Sequence, residues 1–229
     1  MIIDIPRVTP LGKPVETIGI WMSGGADSSL LCYLLAEKIK KENLSIKIQP
    51  LTVQKRPGIY ESIPVRNKIA ELLGAEDIFN NHIIYAAPDS GWVSSVYLGM
   101  FANKNKENIK QNLFQVLLSG ITTNPPREVQ KDFHWGILED VEQARGDSVL
   151  KEKIRYFTQV DEGIEYEFLE LKPFFEINKK EIARLYKEKG LLESLFPLTR
   201  SCEDKQFFEG HCGKCWWCEE RMWAFGKLE

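Results

Sequence analysis

The stretch Ile18-Gly19-Ile20-Trp21-Met22-Ser23-Gly24-Gly25-Ala26-Asp27-Ser28-Ser29-Leu30-Leu31 decides the fold. It reads as an apolar strand, a turn of small residues and the first turn of a helix, the order of parts that builds a phosphate cradle. Gly24 and Gly25 let the backbone take positive φ and approach a ligand, while Ser23, Ser28 and Ser29 set hydroxyls beside the free N–H groups of a helix start. A Gly-Gly turn by itself is more often an ordinary strand-to-helix connection. The serines and Asp27 change that reading. A carboxylate beside a polyphosphate repels it unless a divalent cation comes too, so the turn points to an anion accompanied by a metal ion. From Ser28 to about Lys41 the spacing of Leu30, Leu31, Leu34, Leu35 and Ile39 predicts a helix buried on one face, which holds the turn rigidly.

Outward from this unit, strand patterns recur at Ser45–Val53, Asn81–Ala87, Phe114–Ile121 and Glu165–Leu171, with helical patterns at Glu61–Gly74, Asp89–Asn112 and after Asn178, its expected N-cap. Strands alternating with helices predict an α/β fold, a doubly wound and mostly parallel five-stranded sheet, whose ligands lie at the carboxyl ends of the strands. Thr52, Val53, Gln54, Lys55 and Arg56 end the second strand, and Thr122-Thr123-Asn124-Pro125-Pro126-Arg127 ends the fourth; both runs are candidate contacts, although adjacent charges such as Lys55 and Arg56 also suit a solvated loop. Lys179 falls in a first helical turn, where a cation opposes the helix dipole and calls for an anion partner unless it faces solvent. His82 reads as a structural histidine and the aromatic stripe from Trp92 to Phe101 as core. Residues 127–163 read as helical excursions over the active site, with a homodimer contact as the alternative. The domain organisation expected is an α/β domain over 1–200 and a metal-bound segment over 201–229.

The chain of 229 residues, 43% hydrophobic, can bury a full core. A net charge of −3 offers no general basic field, which disfavours nucleic acid and favours a small-molecule substrate. No run reaches the length of a membrane helix and Met1–Pro14 lacks the marks of a signal peptide, so a cytoplasmic protein is expected.

Of the five cysteines, four fall in Cys202-x9-Cys212-x2-Cys215-x2-Cys218. Four thiolates, three from one short turn-rich stretch, close a tetrahedral site, the pattern of structural zinc; an iron–sulfur cluster uses the same ligand count, and zinc is favoured by the short loops. A disulfide framework does not suit a reducing compartment. Cys32, on the first helix, reads as a buried free thiol.

The run Ser23-Gly24-Gly25-Ala26-Asp27-Ser28 resembles the pyrophosphate-binding loop of the N-type ATP pyrophosphatases. Thr199-x-Ser201-Cys202, followed by Cys212-Gly213-x-Cys215-x2-Cys218-x2-Arg221, is similar to the zinc tail of one branch, the 7-cyano-7-deazaguanine synthases, as is Pro173…Lys179-x-Glu181-Ile182. The resemblance implies ATP and Mg²⁺ at Met22, Ser23, Gly24, Gly25, Ala26, Asp27, Ser28, Ser29 and Val53, catalytic roles for Asp27, Lys179 and Arg56, and structural zinc on the four cysteines. It implies adenylation of a 7-deazaguanine carboxylate and attack by ammonia to give amide and then nitrile, with Gln54, Thr123, Asn124 and Arg127 near the substrate. Tail-bearing relatives that thiolate tRNA, or that act on another heterocycle or a protein, are the alternatives. The chain departs from the branch at Val53-Gln54-Lys55-Arg56-Pro57, at Asn124-Pro125-Pro126 and at Arg200, positions where that branch carries other side chains.

Overall fold

The computed structural model describes residues 3–54, 61–86, 103–137, 153–161, 163–202 and 210–229. β1 (Thr17–Trp21) leads through the glycine turn into α1 (Ala26–Lys41), which begins two residues before the expected start because Gly25, in extended backbone, acts as its N-cap. β2 (Lys47–Val53), α2 (Ser62–Leu73) and β3 (Ile83–Tyr85) follow, with Gly74 in the left-handed region stopping α2. Of the helix expected over Asp89–Asn112, residues 103–110 are helical (α3) and the part before 103 lies outside the described residues. β4 (Val116–Leu118), a single turn α4 (Arg127–Gln130), β5 (Ile154–Asp161), β6 (Ile164–Leu171), α5 (Lys179–Glu188) and α6 (Trp216–Phe225) complete the chain.

The sheet has the order β3-β2-β1-β4-β6-β5. Its first five strands in space are parallel, and β5 closes the edge antiparallel to β6. This corrects the expected five strands to six. The added strand comes from the region read as helical excursions: Ile154–Asp161 is strand, Arg127–Gln130 is one helical turn, and residues 138–152 lie outside the described residues. Gly163, at φ +78°, makes the tight reversal between β5 and β6, a hairpin signal that the charged surroundings obscure.

β1 and β4 are spatial neighbours although far apart in sequence, so their connections leave in opposite directions and a crevice opens at their carboxyl ends. One face of the sheet carries the larger core, where Ile18, Ile20, Leu30, Leu31, Leu35, Ile48, Val65 and Ile69 join α1 and α2 to the strands, with Tyr186 and Phe196 from the later chain. The opposite face packs Trp21, Leu51, Val53, Phe114, Leu117 and Phe168. No described helix is long and apolar enough to cross a membrane.

Candidate active site

The turn after β1 is built from its own hydroxyls. Ser29 Oγ donates to the Gly25 carbonyl at 2.7 Å and Ser28 Oγ to the same oxygen at 3.2 Å, while the Ser23 and Gly25 amides donate to Ser28 Oγ and Ser23 Oγ. The serines therefore fix the turn from within. No side chain caps α1, which leaves its first-turn amides directed at the crevice. Gly24 stands at φ +80°, and a Cβ there would lie 2.7 Å from Glu61 Cβ. Gly120, in the loop after β4, leaves room for the turn itself: a Cβ there would come within 3.0 Å of Ser28 N and 3.2 Å of the Asp27 carbonyl carbon.

The loops after β4 and β6 are stitched beside this turn. Ser119 N donates to Leu171 O at 3.0 Å and Thr123 N to Ile177 O at 2.8 Å, so the β4 loop aligns the segment that enters α5. Asn178 caps α5, accepting from Lys180 N at 3.0 Å, and so sets Lys179 at the head of the helix. Its ammonium pairs with Asp27 Oδ2 and lies 3.5 Å from Glu220 Oε2. The anion partner demanded by the helix dipole is thus present twice. Lys179 is 6% exposed and Glu220 2%, while Asp27 Oδ1 is buried with no hydrogen-bond partner. A buried orphan carboxylate oxygen beside uncapped helix amides is a fit for a cation carried in with a polyphosphate.

Behind the turn stands Arg221, fully buried. It donates to Leu228 O at 2.7 Å, Thr199 Oγ1 at 2.9 Å, Phe196 O at 3.1 Å and Ser201 Oγ at 3.3 Å, and its guanidinium lies 3.8 Å from the centre of the Phe196 ring. Burial draws its pKa down to about 10. The segment it holds reaches the phosphate turn, because Arg200 N donates to Gly24 O at 2.9 Å. Tyr186 OH donates to Ala26 O at 3.0 Å, and burial raises its pKa.

The four cysteines come together as expected. Cys202, Cys212, Cys215 and Cys218 hold their sulfurs within 4.8 Å of one another, with Cys212 and Cys218 3.9 Å apart. Contact with Cys215, and then burial, pushes the Cys218 thiol up, and burial raises Cys212. A crowd of thiols that resist ionisation side by side is what a bound cation relieves. Gly213 turns the chain at φ +75° between two ligands.

Of the other expected site residues, Met22 and Val53 are buried at the ends of their strands, with Met22 N donating to Leu51 O. Gln54 is buried, and its backbone N–H donates to Tyr85 O at 2.9 Å. Asn124 lies in the β4 loop with both atoms of its amide buried and unbonded, while Arg127 is exposed at the start of α4. Lys55 and Arg56 lie outside the described residues. Glu220 and the backbone of Arg200 are parts of the site that sequence reasoning missed. An acidic residue on a charged terminal helix looks like a solvated face, and only packing against α5 buries it. His82 behaves as read, 2.8 Å from Thr52 Oγ1, its pKa lowered to about 4 chiefly by burial.

The family model described as queuosine biosynthesis protein QueC matches residues 151–229. No curated protein matches the chain. Among solved structures, U34-tRNA thiolase NcsA from Methanococcus maripaludis with its [4Fe-4S] cluster is similar at TM-score 0.46 and 18% identity, with 76% of this chain and 56% of that one covered. FMN adenylyltransferase of Candida glabrata, in complex with FMN and an ATP analogue, gives 0.38 and 12%, with 73% and 47% covered. NAD⁺ synthetase from Burkholderia pseudomallei gives 0.34 and 11%, with 94% and 75% covered. The chain thus spans about half the length of the first two. The residues matched by the QueC model, 151–229, carry Lys179, the four cysteines and Arg221, and do not include the phosphate turn.

Proposed function

We propose that the chain is an ATP-dependent adenylating enzyme that activates a carboxylate, releases pyrophosphate and passes the acyl group to ammonia, with 7-carboxy-7-deazaguanine as the acid. The observation that carries this reading is the pairing of Asp27 with Lys179 at the mouth of an uncapped helix, in the crevice between β1 and β4. A cradle for one phosphate needs neither group; departure of pyrophosphate from a polyphosphate uses both. The amides of the Gly24–Ser28 turn would receive the β and γ phosphates, Lys179 would balance the charge that grows on the leaving group, and Asp27 would hold Mg²⁺. The cation supplies further neutralisation of that charge. The α-phosphate is left facing the β4 loop, where the acid attacks it.

Asn124 supports a polar heterocycle as the acid's carrier. A buried amide with neither end bonded costs about 1–3 kcal/mol per orphan group unless a ligand completes it. An N–H and C=O edge such as that of a deazaguanine suits it, and Arg56 or Arg127 supplies a cation for the carboxylate.

The cysteine centre is read as one structural zinc. Bonds of about 2.3 Å to a tetrahedral ion space the sulfurs roughly 3.8 Å apart, close to the 3.9 Å between Cys212 and Cys218. A four-iron cluster spreads its thiolates over separate irons and holds them farther apart.

The test incubates the protein with ATP, Mg²⁺, ammonium and 7-carboxy-7-deazaguanine. AMP, pyrophosphate and a product lighter than the acid, amide or nitrile, are expected. ADP and phosphate would reject pyrophosphate release, and iron with acid-labile sulfide would redirect the reading to tRNA thiolation.

A further inference from the structure

The phosphate turn and the cysteine tail meet at one side chain that neither motif includes. Glu220 follows Cys218 by two residues, is 2% exposed, and places Oε2 3.5 Å from the Lys179 ammonium. On its other side the same ammonium pairs with Asp27. The Lys179 ammonium thus lies between two carboxylates, one on the phosphate turn and one on α6. An ammonium beside Glu220 accounts for a carboxylate buried at that position. It does not explain why a lysine already held by Asp27 has a second carboxylate.

The two carboxylates differ in what else they can do. Asp27 sits in the phosphate turn, its side chain partly exposed, with Oδ1 buried and unbonded. Glu220 is closed in on α6 behind α5. On the proposed function, from which this inference starts, Asp27 has two claims on it, Lys179 and the magnesium of the nucleotide. We propose that Glu220 is the positioning residue for Lys179: it is the standing counter-ion that keeps the ammonium aimed at the phosphates whatever Asp27 binds. Without it, Lys179 leans more on Asp27, and each gain in cation binding by Asp27 loosens the lysine.

The test is a binding cycle with Mg·α,β-methylene-ATP, which cannot release pyrophosphate, so no acid substrate is needed. Calorimetry on Glu220→Gln, of nearly equal shape, is expected to weaken binding about tenfold, the loss of one buried charge-assisted contact. Glu220→Asp, which keeps the charge, restores most of it. In a Lys179→Met background the Glu220→Gln effect disappears, because the residue acts through the lysine; a packing role would persist there. The same cycle run against Mg²⁺ concentration shows a raised requirement for Glu220→Gln only where Lys179 is present. Should Glu220→Gln melt early, Glu220→Asp takes its place in the cycle, with a smaller loss that Lys179→Met again abolishes. Equal binding by wild type and Glu220→Gln, or an equal loss in the Lys179→Met background, overturns the assignment while leaving the adenylating reading intact. Failure of the wild type to bind the analogue at all overturns both.

Discussion

Replacing Arg221 by Met removes the guanidinium and keeps most of the stem volume. Three close acceptors then lose their charged donor: Leu228 O at 2.7 Å, Thr199 Oγ1 at 2.9 Å and Phe196 O at 3.1 Å. Orphan acceptors at about 1–3 kcal/mol each sum to roughly 3–9 kcal/mol. Leu228 O and Thr199 Oγ1 stand towards the upper end of that range and Phe196 O, which keeps a bond from Thr199 Oγ1 at 2.7 Å, at its lower end, so the sum is about 5–7 kcal/mol. Against this, the charge no longer has to be buried. The fall in pKa from 12.5 to about 10 corresponds to roughly 3 kcal/mol of relief at 1.36 kcal/mol per unit. The two opposing quantities leave a net loss of about 2–4 kcal/mol, and for a chain of this size each kcal/mol lowers the melting temperature by about 2–4 °C. Urea unfolding with an unchanged slope, compared with the wild type, measures it. Arg221→Lys should fall between, since one ammonium cannot serve three separated acceptors. A loss below about 1 kcal/mol for Arg221→Met would refute the idea that this guanidinium fastens the 196–201 segment, and with it the route from the tail to Gly24.

Other consequences are checked more briefly. Asp27→Asn and Lys179→Met should each lower pyrophosphate release about 10²–10³-fold, as loss of one preorganised electrostatic contact does; a change confined to KM would argue against a role on the leaving group. Chelation, or Cys215→Ser, should loosen α6 and weaken nucleotide binding together, because both Glu220 and Arg221 stand on that helix; amide exchange confined to the tail with unaltered nucleotide affinity would separate the two. His82, with its pKa lowered to about 4 from 6.5, takes up a proton on unfolding between those values, so the stability it contributes is complete above about pH 6.5 and is lost as pH falls towards 4. His82→Gln should flatten that limb of the urea-midpoint profile against pH. Cys32, fully buried with its pKa pushed up to about 12, should not react with a thiol reagent until the protein unfolds.

The parts legible in the sequence are those where local chemistry and long-range packing make the same demand. Gly24, Asp27 and the leucines of α1 specify their turn and helix without reference to the rest of the chain, and the thiolates at Cys212, Cys215 and Cys218 need only each other and Cys202. The strand β5 was missed because its side chains do not declare a buried face. It is an edge strand with Ile154, Tyr156 and Val160 exposed along one side, so the alternation that marks a half-buried strand is weak. Glu220 was missed for the opposite reason, since a charged residue on a helix looks solvated until a second helix covers it.

The burial of Glu220 and Arg221 also accounts for the position of the cysteine centre in the chain. A structural metal stabilises a segment too small to form a core, but α6 is not a detached segment: within one turn it carries Cys218, Glu220 and Arg221. A metal bound at Cys218 would fix the start of that turn, where Glu220 meets Lys179 and Arg221 meets the carbonyls of Phe196 and Leu228. The 196–201 segment in turn fixes Gly24 through Arg200 N. Two routes therefore run from the thiolates to the phosphate turn, one electrostatic through Lys179 and one through the backbone. They differ in salt dependence. Screening acts weakly on the buried Glu220–Lys179 pair and hardly at all on the Arg200 to Gly24 hydrogen bond, so loss of the metal should weaken nucleotide binding at high ionic strength nearly as much as at low. A metal effect on binding that vanished with added salt would mean that the tail acts through its exposed charges instead.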